Sequence, residues 1–157
     1  MYKIVGVSLL AMGGFLCAGI MNKKIDRTLE LTNGWIELIR YIKGQVECFG
    51  IPLEKILSEC DIKLLRAVGY ERAIAPKSFS EILRDDCLPD RETGALILNF
   101  TREFGKYYRE EQLTRCNYYI AALEEKKRLQ TERLPQKKRL NYTLWLSGCL
   151  AIGILLL

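Results

Sequence analysis

Histidine is absent from this chain of 157 residues. Enzymes that work near neutral pH most often move protons with histidine, because its ordinary pKa lies in that range. The sequence also lacks a G-x-x-x-x-G-K-[ST] phosphate loop and a G-x-G-x-x-G fingerprint after a strand. Adjacent acids such as Asp85 and Asp86 diverge on a helix and make poor catalytic pairs. We therefore predict no enzymatic activity, no catalytic residues and no cofactor.

Paired cysteines are also missing, since none of the six thiols falls in a C-x-x-C motif. Without histidine, a zinc site would need four thiolates drawn from separate segments, so we predict no metal site. Isolated cysteines in a reducing compartment usually pack as small apolar side chains. The residues concerned are Cys17, Cys48, Cys60, Cys87, Cys116 and Cys149.

Charge is scarce at both ends of the chain, because all 19 acids and every base except Lys3 lie between residues 21 and 141. Residues 4–21 form an uncharged apolar run, close to the roughly 20 residues that a membrane-spanning helix needs. Residues 144–157 form a shorter run of about 21 Å, which an interfacial Tyr142 and Trp145 would extend. These runs predict membrane anchors at 1–21 and 142–157, on either side of a domain at 22–141.

Two other interpretations of the first run are a cleaved signal peptide and a buried core helix. A signal peptide carries its positive charges in front, whereas here the bases follow the run. Bases lie on the inner side of both runs, and positively charged loops stay in the cytosol. We therefore expect a cytosolic domain, with six bases at the membrane surface: Lys23, Lys24, Arg27, Lys137, Lys138 and Arg139.

The middle of the chain has the apolar period of helices, as in Ile36, Ile39, Val46 and Phe49. No stretch alternates long enough to predict a strand. Short breaks separate the predicted helices at 25–49, 53–60, 62–74, 78–87, 91–104 and 109–134. The fold prediction is all-α, an antiparallel bundle of about six helices between N-terminal and C-terminal transmembrane helices.

Several residues predict where the helices begin and end. Asp61 is placed to cap one helix, and Ser78 with Glu81 matches a capping box. Pro135 is expected to end or kink the last helix before the second anchor. Glycines at 34 and 44 should weaken the first helix by about 1 kcal/mol each.

Seven bases and one acid lie between residues 126 and 139. Such a run suits either nucleic acid or the anionic surface of a membrane. Its position beside an anchor favours membrane lipid, and we predict no nucleic-acid partner. Tyrosine pairs at 107–108 and 118–119 suit one ring in the core and one at the rim, or else a partner surface.

One stretch, LNFTREFGKYYREEQLTRCNYYIAALEE at 98–125, resembles the stage III sporulation protein AB family. In that family a helix ends in a glycine turn, and a glutamine then opens a long helix. Phe104 and Gly105 supply the turn here, and Gln112 supplies the polar residue. Residues 36–57 and the closing run at 140–157 are also similar to the family. The chain departs from it at Tyr108, where an acid is usual, and at Pro135.

The resemblance implies a non-enzymatic membrane platform in the channel that joins the mother cell and forespore during endospore formation. Its location would be the mother-cell membrane around the forespore, with the main domain in the cytosol. That domain would be similar to the F domain of type II secretion and type IV pilus platform proteins. Implied partners are sporulation channel proteins, including a companion secretion-type ATPase, and an oligomer is possible.

Gly105 and Gln112 would be family-motif residues with a structural or partner-facing role. One alternative is a membrane-tethered structural or lipid-binding scaffold without an ATPase partner. Another is a membrane-tethered nucleic-acid binder, which would bind duplex DNA with steep salt dependence.

Overall fold

The fold consists of α-helices joined by short connections. The computed structural model describes residues 2–83 and 88–156, without the side chains of residues 2–11, 14, 15, 150 and 153–156. Within that part of the chain there are six helices and no strands, which confirms the all-α class and the predicted number of helices. The helices are α1 (Tyr2–Phe49), α2 (Leu53–Ser58), α3 (Ile62–Ala67), α4 (Phe79–Ile82), α5 (Arg91–Glu103) and α6 (Arg109–Leu156).

The chain divides into two compact units. The bundle is Thr28–Leu129, and it holds part of α1, part of α6 and the four shorter helices. The terminal unit combines Met1–Arg27 with Gln130–Leu157.

Helix α1 supplies the centre of the bundle core. Burial of a large apolar side chain contributes about 1.5–3 kcal/mol, so this helix is a major source of the bundle's stability. Its fully buried side chains follow the helical period: Trp35, Ile36, Leu38, Ile39 and Ile42. The prediction that Phe49 continues this face is wrong, because its ring is 70% exposed. Phe49 is the last residue of α1, and Gly50 follows with a φ of 60° and turns the chain away.

A cluster of aromatic rings joins α4, α5 and α6. The Phe79 ring lies 5.7 Å from Phe100 and 5.6 Å from Phe104, edge to face in both cases. Tyr119 of α6 packs 5.5 Å from Phe100 in the same manner. Edge-to-face pairs contribute about 0.5–1.5 kcal/mol beyond burial, so this cluster holds three helices together.

Helix α3 ends seven residues earlier than the predicted end at Ile74. Gly69 has a φ of 86°, and its N–H donates to the Arg66 carbonyl. The Tyr70 N–H donates to the Leu65 carbonyl, and both of these side chains are buried. This Schellman arrangement satisfies the last carbonyls of the helix and stops it.

The predicted helix starts are confirmed at one site and wrong at another. The Asp61 carboxylate accepts the Lys63 N–H at 2.8 Å and caps α3. Ser78 does not cap α4, because its hydroxyl bonds to the Ser80 hydroxyl at 2.7 Å. Glu81 reaches back as in a capping box, but it accepts the N–H of Lys77.

Pro135 does not end the last helix, so of the two predicted outcomes, an end or a kink, the end is wrong. Helix α6 continues through it to Leu156. Proline removes one backbone hydrogen bond and crowds the preceding turn, a cost that tertiary contacts can offset. Lys138 and Asn141, which follow the proline, both bond to side chains of α1.

The glycines of α1 allow a direct test of bundle packing. A Cβ at Gly34 would lie 2.2 Å from the Ala67 carbonyl oxygen, whereas one at Gly44 would meet nothing within 4 Å. We expect Gly34→Ala to lower the free energy of unfolding by about 1–3 kcal/mol through overpacking.

The matched variant Gly44→Ala should raise the free energy of unfolding by about 0.5–1 kcal/mol, because alanine favours the helix. Chemical denaturation of the full-length chain in mild detergent measures both variants. Equal effects of the two variants would contradict the close approach of α1 to the end of α3.

Candidate membrane interface and helix corner

Two polar contacts join α1 and α6 in the terminal unit. The Lys138 ammonium lies 2.7 Å from one Asp26 carboxylate oxygen and 2.8 Å from the other. The Asn141 amide donates to the Asn22 side-chain carbonyl at 3.2 Å. Asn22 is buried, so its amide needs such a partner. This pairing was not predicted from the sequence, although polar residues at helical spacing beside both apolar runs are a usable signal.

The same contacts fix how the two helices align. Asn22 precedes Asp26 by four residues, whereas their partners occur in the opposite order on α6. The helices are therefore antiparallel in this unit. Continued toward the termini, this register places the apolar run at 4–21 alongside the run that begins at Leu144. Ala18, which is fully buried, is a small residue on the contacting face and permits a close approach.

Large apolar side chains are exposed on this unit to an unusual extent. A soluble surface rarely presents a continuous apolar area, because exposure to water costs about 25 cal/mol per Å². Of the fifteen large apolar side chains exposed in the described part of the chain, ten belong here: Met12, Leu16, Ile20, Met21, Leu140, Tyr142, Leu144, Trp145, Leu146 and Ile152. This composition suits contact with an apolar phase.

The six bases predicted at the membrane surface gather near the two polar contacts. Lys138 is half-buried and pairs with Asp26. The other five are exposed: Lys23, Lys24, Arg27, Lys137 and Arg139. Because the helices are antiparallel, both sets of bases lie at one level of the terminal unit, directly beside the apolar runs. We call these six residues the basic collar.

The first part of the basic run at 126–139 has a different environment. Lys126 forms an ion pair with Glu92 at 2.6 Å, and Lys127 donates to Asn33 at 2.6 Å. Arg128 pairs with Glu125. These three bases are engaged within the bundle, so the run does not present one uniform positive surface.

Among the described residues, none of the helices has a stretch both apolar and long enough to cross a membrane. A large share of the predicted anchor at 1–21, and part of the one at 142–157, lies outside the described side chains.

The two residues carried over from the family motif meet at the corner between α5 and α6. Gly105 has a φ of 83°, a conformation that glycine adopts without strain. Its N–H donates to the Gln112 side-chain carbonyl at 3.0 Å. Gln112 lies in the first turn of α6, only 5% exposed. The glutamine thus holds the turn that reverses the chain.

Polar side chains surround this corner. Arg115 pairs with Glu103 at 2.8 Å and with Glu111 at 3.2 Å, and it stacks over the Tyr107 ring. The Tyr119 hydroxyl donates to Glu103 at 3.0 Å. Burial, with the added effect of that carboxylate, raises the pKa of Tyr119 to about 12. These interactions link the end of α5 to α6 and make the corner rigid.

The tyrosine pairs divide between core and rim as predicted for Tyr118 and Tyr119. Tyr119 is buried, and Tyr118 is 63% exposed. Tyr107 and Tyr108 lie before α6 instead of within it, with Tyr108 91% exposed. Tyr108 therefore stands at the surface.

The thiols do not share one environment. Cys60 and Cys116 are buried, as predicted, and burial raises the pKa of the Cys60 thiol to about 11 and that of Cys116 as well. Cys48 is exposed, contrary to the prediction, because it lies on the outer face of α1 near its end. Cys87 lies outside the described residues. The described part of the chain contains no group of three or more Cys, Asp or Glu that suits a metal ion.

Comparison with known proteins adds no family to this description. The chain matches no protein-family model, no curated protein and no solved structure.

Removal of the Gln112 side chain tests the structural role of the corner. In Gln112→Ala the Gly105 N–H loses its acceptor and the buried Gln112 side chain is truncated, which should lower the free energy of unfolding by about 0.5–1.5 kcal/mol. The control Thr114→Ala changes an exposed residue two positions later and should stay within about 0.5 kcal/mol of the parent chain. Denaturant titration of the full-length chain measures both. If Gln112→Ala has the same free energy of unfolding as the control, the hydrogen bond between Gly105 and Gln112 does not stabilise the turn between α5 and α6.

Proposed function

We propose that this chain is a non-enzymatic membrane platform of the mother cell–forespore channel, and that it docks a secretion-type ATPase. Residues 1–21 and 142–157 are its anchors in the mother-cell membrane around the forespore, and the bundle is cytosolic. The proposal combines the family resemblance with the terminal unit. The observation that carries it is the antiparallel pairing of two apolar runs with a basic collar at one end.

The terminal unit supports membrane insertion in three ways. Its exposed surface is apolar where the two runs lie side by side. Tyr142 and Trp145 lie at the start of the second apolar run, close to the bases, and aromatic residues favour the membrane–water boundary. The collar brings positive charge from both helices to one side, as expected for the cytosolic face. Because the two anchor helices are antiparallel, the chain segment that joins them begins and ends at the cytosolic face.

The bundle supports a binding role. Hydrogen bonds engage its buried polar residues: the Thr93 N–H donates to the Asp90 carboxylate, the Thr32 hydroxyl donates to the Thr28 carbonyl, and the Gln112 side-chain carbonyl accepts the Gly105 N–H. A rigid domain held beside a membrane meets its partner at high effective concentration. The collar equally suits the alternative function, a membrane-tethered lipid-binding scaffold. The two functions differ in whether an ATPase binds.

Membrane insertion and topology can be tested by thiol labelling. In a single-cysteine variant that keeps the exposed Cys48, a membrane-impermeant maleimide should label the chain only after cells are permeabilised. In a cysteine-free chain with Tyr2→Cys, the same reagent should label intact vegetative cells that express the chain, because the N-terminus then faces the outside of the cell-surface membrane. Labelling of Cys48 in intact cells, or recovery of the chain without detergent in the soluble fraction, would contradict the proposed topology.

ATPase docking can be tested with the full-length chain in lipid nanodiscs. We expect the companion ATPase to be retained by loaded nanodiscs and not by empty ones, with heat released on titration. A chain that is inserted and folded but binds no ATPase in either measurement would favour the scaffold function.

A further inference from the structure

We propose that Lys23, Arg27 and Arg139 form a binding site for the phosphate of an anionic phospholipid headgroup. The inference rests on the proposed membrane insertion and adds a specific ligand to it. Positive charge beside a membrane-spanning helix sets the orientation of a protein in the membrane. It does not by itself make a defined binding site for one lipid. The arrangement of these three bases on the paired helices is what defines one.

The three bases share one flank of the contact between α1 and α6. Lys23 and Arg27 each follow a contacting residue of α1 by one position, and Arg139 follows Lys138 of α6 in the same way. One position is a rotation of about 100° around a helix. Because the helices are antiparallel, that rotation turns all three residues toward the same side of the contact.

The bases also lie at matching heights along the helices. Lys23 and Arg27 are four residues apart, so their Cβ atoms are roughly 6 Å apart. The contacts of Asn22 with Asn141 and of Asp26 with Lys138 place Arg139 between them in height. Three exposed cations from two helices thus surround one position, and arginine suits the bidentate binding of phosphate.

The surroundings favour a lipid over a free anion. Asp26, the nearest acid, is engaged with Lys138. The next acids along the helices, Glu30 and Glu132, come on the side away from the apolar runs. Tyr142 lies on the same flank as the three bases, one turn closer to those runs. A phosphate bound here would have its acyl chains beside exposed apolar side chains.

Two bases on the opposite flank provide a matched control. Lys137 precedes Lys138 by one position, and Arg133 lies one turn earlier on the same side. The variants Arg27→Gln/Arg139→Gln and Arg133→Gln/Lys137→Gln each remove two positive charges from exposed positions. Diffuse attraction between bases and anionic lipid predicts that both variants lose lipid binding, whereas a defined site predicts a loss in the first variant alone.

The experiment is native mass spectrometry of the full-length chain, released from nanodiscs of phosphatidylglycerol and phosphatidylcholine in equal parts. We expect one retained phosphatidylglycerol, a loss of about tenfold in its occupancy for Arg27→Gln/Arg139→Gln, and little change for the control. Soluble glycerol phosphate should not compete.

Equal losses in the two variants, no lipid preference in the parent chain, or competition by glycerol phosphate would each overturn the site. Carbonate extraction of the same membranes separates this inference from the proposed function. A chain that resists extraction but shows no preference for phosphatidylglycerol refutes only the lipid site. A chain that is extracted refutes the membrane anchors themselves.

Discussion

The ion pair between Asp26 and Lys138 sets the arrangement of the terminal unit. Together with the amide bond between Asn22 and Asn141, it selects one register for α1 against α6. Apolar helices alone slide past each other at little cost, because one leucine contact resembles the next. A polar pair beside apolar surface loses its partner when the helices slip, and each slip therefore has a clear energetic penalty.

Different interactions stabilise the bundle. Its core depends on the wide apolar face of α1 around Trp35 and on the ring cluster at Phe100. Polar interactions lie mostly at its corners, where Gln112 holds a glycine turn and Arg109 donates to the Val46 and Glu47 carbonyls at the end of α1. Apolar burial thus supplies the stability, and polar bonds determine where the chain reverses.

The features that the sequence predicted are those encoded locally. The helical period along residues 25–49 and the cap at Asp61 depend on neighbours within a few positions, and both are confirmed. Predictions failed where distant contacts decide. Pro135 signals a break, but bonds from the following turn to α1 maintain the helix. Phe49 fits the apolar period, yet the helix ends there and its ring is 70% exposed.

The candidate site likewise combines features that the sequence predicts with features that only the structure reveals. The bases of the collar were visible in the sequence, because they border the apolar runs. Their grouping into flanks was not visible, since it requires knowledge of which residues of α1 face α6. Gly105 and Gln112 came from a family resemblance, and only the structure revealed the hydrogen bond that joins them.

The unequal flanks of the basic collar give the helix pair a left and a right side. Because like charges repel, two copies that met through the flank with three cations would raise the electrostatic energy unless an anion lay between them. The other flank, with Arg133 and Lys137, would bring fewer charges into such a contact.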